Sequence, residues 1–348
     1  MLILAFLVLL FANIVNHSKR IKDDVKIFFL LLIYGWFIFI FAFRDNSIPD
    51  TSVYLKFYDS GGKEGGMEYL FTLLCQAGNR IGLNFNEFLI IYQIILFGLW
   101  FYTSRKLFND LHLVFMVFMS FMGMYNFGII IRAGLGLCIN YFAIVYLINN
   151  KTLKGYLIYY ALVTISILVQ QAMIVFYILP LFIFRDFKSI VLEILLLIAI
   201  MLPVINIQKI IVHILEAYLK FFSTDELLSY TKVHTSVNLS GVYSKTLIKY
   251  WAMALIFILL RPRIVDNLRV YNCFLNIYIA GVFLMSATYF IIAGNRLSYM
   301  FLFFEFVLVG LLYENSDLSK LSVLAGAFIL CIINFMNLIS SVPALLTH

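Results

Sequence analysis

Long apolar blocks separated by short polar ones run along nearly the whole chain, and the blocks are of the length that carries a helix across a bilayer. An unpaired backbone amide in hydrocarbon costs several kcal/mol, so a crossing segment is expected to be helical and about 20 residues long. Twelve such blocks fall near 1–16, 25–43, 85–103, 111–127, 128–149, 155–169, 171–184, 188–205, 246–260, 270–293, 295–313 and 319–340. Gln170 and Gln171 interrupt one apolar run, so the blocks on either side are two spans or one broken or re-entrant segment, which puts the count at about 10–12. The first block has no basic stretch before it and no small-x-small site ahead of the HSKR charges. It is therefore expected to be a span and not a cleaved signal peptide.

Two segments, 44–84 and 206–245, break this rhythm with a different period. In the first, Met67, Leu70, Phe71, Leu74, Gly78 and Ile81 recur at helical spacing opposite Glu68, Thr72, Gln76 and Asn79. In the second, Ile207, Ile210, Ile211, Ile214, Leu215 and Tyr218 face away from Lys209, His213, Glu216 and Lys220. Both patterns predict helices lying in the membrane interface, either roofing a cavity or capping the bundle. The expected fold class is all-α, a polytopic transmembrane helix bundle forming one integral membrane domain over 1–348.

Composition agrees: 64% of the 348 residues are hydrophobic and only 12% charged, too little polar surface for a soluble globule. Fourteen Lys and Arg cluster in alternate short connections, beginning with Lys19, Arg20, Lys22 and Lys26 and ending with Lys320. The opposite short connections hold Arg132 and Arg296. Basic short loops stay on the cytoplasmic side, so with twelve spans both termini and both long segments are expected outside. The net charge of +7 follows from this bias, and no basic cluster on a soluble fold points to nucleic acid. Cys138, Cys273 and Cys331 lie in apolar blocks and Cys75 in an amphipathic one, a pattern with neither disulfide nor metal spacing. No phosphate-cradling glycine loop or nucleophile elbow is present, and no cofactor is expected.

The candidate chemistry lies in charges near apolar blocks, where a central charge costs about 2.5–3.5 kcal/mol on insertion scales. Arg132, in GIIIRAGLGLCINYFAIVYL, is followed by Ala133, Gly134 and Gly136, small residues that let neighbours approach and build a cavity wall. It is a cavity charge or a snorkelling anchor, and so is Arg296, which has Tyr299 one turn on. Arg44, Asp45, Asp50 and Tyr54 crowd one turn-forming stretch around Pro49. Glu305, deeper in its block, is expected as a protonated hydrogen-bond partner. Gln170 and Gln171 bind sugar hydroxyls or pair across helices. Guanidiniums at one membrane face match phosphate oxygens bidentately and stabilise a departing negative charge, which suits a lipid-linked sugar diphosphate.

Over about residues 30–310 these stretches resemble the EpsG-type branch of the Wzy polysaccharide polymerases, which includes O-antigen and capsule polymerases. Arg44, Asp45, Pro49, Asp50, Tyr54 and Phe57 are similar to that family's region after the second span, with Ile48 where glycine is frequent. Glu68-Tyr69-Leu70 resembles the segment that follows. Arg132-Ala133 is the best match, and Arg296 with Tyr299 resembles a late Arg-x-x-Tyr. Gln170-Gln171-Ala172 departs from a Phe-His-x-Ser-Ala pattern, so no imidazole stands there.

The resemblance implies a GT-C-like, metal-independent glycosyltransferase in the bacterial cytoplasmic membrane with its active site on the extracytoplasmic face. Its substrate would be an undecaprenyl-diphosphate-linked oligosaccharide, and its partners the bilayer, a chain-length regulator and a flippase. Arg132, Arg296, Asp45 and Asp50 are the expected catalytic residues; Arg44, Tyr54, Glu68, Gln171 and Tyr299 are the expected substrate contacts. A repeat-unit flippase or transporter and an O-antigen ligase are the competing readings. A flippase should show an internal repeat and cytoplasm-side intramembrane charges. A membrane acyltransferase would place a histidine deep in a span, and none of the five lies there.

Overall fold

The computed structural model describes residues 2–16, 22–63, 66–205, 245–289 and 292–342. Among these, fifteen α-helices and two 3-10 helices make up the regular structure, so the all-α class expected from periodicity holds. Six helices are long and apolar enough to cross a membrane, and a seventh span arises if one bent pair counts as one. The other apolar blocks are helical but only 10–17 residues long. The chain is a multi-pass membrane protein. The second amphipathic segment, 206–245, lies almost wholly outside the described residues.

The helices form two compact units, Met1–Ile178 with Leu318–His348 and Leu179–Asp317. In the first, α1 (Leu2–Asn16) packs on α2 (Asp23–Ala42), which packs on α5 (Phe85–Ser104). Between them lie α3 (Thr51–Asp59) and α4 (Tyr69–Arg80), the amphipathic helix that the first long segment predicts. Its Phe71, Cys75 and Gly78 are buried, Leu70 and Leu74 half-buried and Ile81, just past its end, exposed, so the buried stripe is narrower than the apolar pattern suggests. An Asn84–Glu87 capping box starts α5, satisfying the orphan amides of its first turn. Tyr34, Phe97, Trp100 and Phe115 form an aromatic core with ring centroids 4.2–6.2 Å apart.

The next span is broken. α6 (Leu111–Ser120) and α7 (Met122–Gly128) meet at 67°, and a second break at Ile129–Ile130 precedes α8 (Ile131–Asn149). Carbonyls freed by a break inside apolar surroundings must find donors. Gln93 Nε2 donates to the Phe127 carbonyl at 2.7 Å and Arg44 Nη1 to that of Gly128 at 3.0 Å, while Tyr92 OH adds a bond at 3.2 Å to the Ile131 carbonyl in the first turn of α8. Gly134 lets the two arms close: a Cβ there would lie 2.5 Å from the Asn126 carbonyl oxygen. Next, α9 (Leu153–Val169) packs along α8, and α15 (Lys320–Ser341) along α6. The 171–184 block is not an α-helical span; it begins as an 11-residue 3-10 helix, Gln171–Leu181.

In the second unit, α12 (Leu268–Thr288) packs against α10 (Ser189–Val204), α11 (Lys245–Leu260), α13 (Ile292–Leu302) and α14 (Glu305–Asn315). Glu305 has a basic partner there as well as a hydroxyl. Lys249 Nζ lies 2.9 and 3.0 Å from its two carboxylate oxygens, and Tyr278 OH donates to it at 2.8 Å. Both charged side chains are buried, a pair that stabilises only while both partners remain. Lys249→Met alone is expected to lower stability by about 3–5 kcal/mol, whereas Lys249→Met with Glu305→Leu should recover most of that loss. Thermal unfolding of the detergent-solubilised variants measures both, and a double variant no better than the single one would contradict the pairing.

Candidate functional site

The break before α8 places Arg132 as the second residue of that helix, at the end of the first unit where α3 and α4 also lie. Arg132 Nη1 makes a short ion pair with Glu68 Oε2, and its guanidinium carbon stands 5.6 Å from the Tyr54 ring centroid and 5.9 Å from that of Phe71. Such placement spreads the charge over a carboxylate and two ring faces. The side chain is 22% exposed. It is thus held inward by partners and does not stretch away along apolar surface.

Glu68 ties three elements together. It precedes α4, pairs with Arg132 on α8, and accepts the backbone N–H of Gln171 at 3.0 Å, at the start of the 3-10 helix. Sequence reading identifies Glu68 as a substrate contact and misses it as the counter-ion of Arg132, since nothing in 64 residues of separation links the two. Gln171 takes part through its backbone while its side chain is exposed, so a side-chain amide role is not what the geometry offers. Gln170 ends α9 and keeps a buried side-chain oxygen without a partner.

Arg44 lies just beyond α2 and is 8% exposed. Its single hydrogen bond to Gly128 leaves Nε and Nη2 buried and unpartnered. The guanidinium carbon is 5.5 Å from the same Tyr54 ring that Arg132 approaches, so two like charges share one aromatic side chain. Burial pushes the Arg44 pKa down to about 10, opposed by Tyr54 and Asp50, and the group remains a cation at neutral pH. Burial pushes the Tyr54 phenol up despite both arginines, so its hydroxyl keeps its proton. The hydroxyl lies against the Arg132 guanidinium, whose Nε is buried without a partner. Three buried donors without partners on two cations, Nε and Nη2 of Arg44 and Nε of Arg132, are what an anion with several oxygens would satisfy.

Asp50 caps α3 with φ at +63°, a left-handed conformation that a non-glycine residue adopts at a cost of about 1–3 kcal/mol. Asp45 is exposed, accepts the Ser47 amide at 2.7 Å, and lines an open cavity of about 540 Å³ beside Arg44. Arg296 and Tyr299 belong to the second unit, on α13. Arg296 is exposed, and the Tyr299 ring centroid is 6.4 Å from that of Tyr250. Cys75, beside this site on α4, is fully buried, and burial pushes its thiol up to about 12.

A polytopic helical membrane protein with paired, under-satisfied guanidiniums is thus the class that fold and site define. Within that class the EpsG family model matches residues 26–346, nearly the whole chain, and the chain belongs to the EpsG family, a Wzy-like family of polysaccharide polymerases. No curated protein and no solved structure matches it. Replacing Glu68 by Ala removes the acceptor of Arg132 and of the Gln171 amide together, and is expected to destabilise the protein by about 1–3 kcal/mol. A melting temperature equal to that of the parent protein would show that Glu68 does not hold these elements.

Proposed function

We propose that the protein joins undecaprenyl-diphosphate-linked oligosaccharide repeat units into O-antigen or capsular polysaccharide at the extracytoplasmic face of the cytoplasmic membrane. Family membership gives the coarser statement, a membrane protein of the polysaccharide polymerase type and glycosyltransferase-like. The observation that carries the finer one is the Arg44–Tyr54–Arg132 cluster with its buried, unpartnered donors. A diphosphate offers the oxygens those donors lack. It would take the place of Glu68 on Arg132 or share that guanidinium with it.

In this reading the acceptor hydroxyl oxygen bonds to the anomeric carbon of the donor chain as the bond from that carbon to the diphosphate oxygen breaks. The hydroxyl proton passes to a carboxylate, Asp45 or Asp50. The lipid diphosphate leaves with the bonding electrons. Arg132 and Arg44 stabilise the charge that grows on the leaving oxygens, a contribution that often exceeds any other in such transfers. Tyr54, Glu68 and Gln171 order the surroundings. Arg296, with Tyr299, is proposed as a further phosphate contact on sequence grounds alone. The chain-length regulator and flippase are proposed partners on the same grounds. A ligase would use the same donor with a different acceptor, and a flippase would need no bond to form.

Incubating the purified protein with a single repeat-unit lipid and resolving the products on a gel tests the proposal. A ladder is expected, reduced by about 10²-fold or more in rate when Arg132 is replaced by Ala. In cells the same variant should leave surface glycans one repeat long. Normal long chains in Arg132→Ala cells, or transport of the unit with no ladder, would overturn the assignment.

A further inference from the structure

Arg132 already holds an anion. Both oxygens of the Glu68 carboxylate are engaged, Oε2 with Arg132 Nη1 and Oε1 with the Gln171 backbone N–H at 3.0 Å. Two donors from different elements, a guanidinium on α8 and an amide at the start of the 3-10 helix, therefore converge on one pair of oxygens. A phosphate group presents a pair of oxygens in the same way, so the carboxylate occupies a place that a phosphate would fit. Glu68 engages Arg132 through one nitrogen only, whereas a guanidinium can take two oxygens in parallel.

Nothing in its own helix keeps Glu68 there. It stands at the cap of α4 but bonds none of that helix's first amides, as a capping side chain would. Gly66, two residues earlier, has φ at +56°, which glycine adopts at no steric cost, and no regular structure runs from 66 to 68. The side chain can thus leave Arg132 while α4 stays wound. The pair is also reachable from outside, its side chains being 22% and 18% exposed against 7% and 4% for Lys249 and Glu305. When the carboxylate goes, the Tyr54 and Phe71 rings remain beside the guanidinium, so its charge is not stranded. A diphosphate and an ionised Glu68 together on Arg132 would set like charges side by side in a partly buried place, which disfavours sharing. We infer that Glu68 and the lipid diphosphate exchange on Arg132. The carboxylate holds the site in the unliganded protein and yields it to the incoming donor; on returning to Arg132 and the Gln171 amide it expels the lipid diphosphate left after transfer. The inference rests on the polymerase reading, and it makes Glu68 a positioning residue that governs product release.

Titration of the full-length protein in lipid nanodiscs with undecaprenyl diphosphate tests the exchange. An internal competitor that holds its site about nine-tenths of the time lowers the apparent affinity about tenfold. Glu68→Gln keeps the size and an acceptor oxygen but not the charge, and is expected to bind the lipid diphosphate about tenfold more tightly than the parent protein. A substrate contact or a purely structural strut predicts weaker or equal binding. Asp59→Asn removes an exposed acid of α3 and should stay within about twofold of the parent, since exposed charges are screened. In the ladder assay, added undecaprenyl diphosphate should inhibit Glu68→Gln at about a tenfold lower concentration than the parent. Where the Gln variant does not fold, Glu68→Asp reads the same exchange: its charge sits on a shorter stem that holds the two donors less well, and a gain of about threefold is expected. Equal or weaker binding in the folded variant, an equal gain in Asp59→Asn, or unchanged product inhibition would each overturn the inference. Binding is read without polymerisation, so a ladder from the parent with no gain in the Glu68 variant sinks the exchange alone. A gain with no ladder from the parent sinks the polymerase reading alone.

Discussion

A helix that breaks inside a membrane protein must hand its freed carbonyls to other donors, and in this protein that obligation organises the candidate site. The break before α8 presents the carbonyls of Phe127 and Gly128, and Gln93 from α5 and Arg44 from the end of α2 reach them. Arg44 is thereby fixed by one nitrogen with its other two buried and unpartnered. The same break sets Arg132 at the head of α8, where Gly134 lets α7 and α8 close on each other. Each arginine needs relief from its burial cost, and the Tyr54 ring with Glu68 supplies part of it. The site is a consequence of solving a backbone hydrogen-bonding problem with cations.

Incomplete satisfaction is what separates this cluster from a purely structural one. The Lys249–Glu305–Tyr278 group of the second unit closes its polar atoms on one another, carboxylate to ammonium and hydroxyl to carboxylate. Around Arg44, Tyr54 and Arg132 the donors exceed the acceptors in reach. Free energy left unclaimed in this way is available to a ligand with several oxygens. The left-handed Asp50 at the start of α3 fits the tendency of strained backbone to gather where chemistry occurs.

What could be read from the sequence divides along a physical line. Helix class, the approximate positions of the apolar helices and the α4 amphipathic helix are local or periodic properties, and periodicity carries them. The small residues after Arg132 were also legible, since Gly134 meets a neighbouring backbone as their spacing implies. Pairings across long separations were not: Glu68 with Arg132, Arg44 with Gly128 and Lys249 with Glu305 depend on tertiary approach. Thr51, Asn46 and Asn86 carry no local signal and emerge only as the walls of one cavity. The 3-10 geometry of Gln171–Leu181 likewise has no signature in an apolar run.

Direct binding of undecaprenyl diphosphate to the purified protein tests the central claim, that Arg44 and Arg132 form a diphosphate site. Titration in nanodiscs should give affinity at least about tenfold weaker for Arg132→Ala and for Arg44→Ala than for the parent protein, one charge-assisted contact being worth about 1.5–3 kcal/mol. Equal affinity in both variants, with their folding intact, would contradict the account.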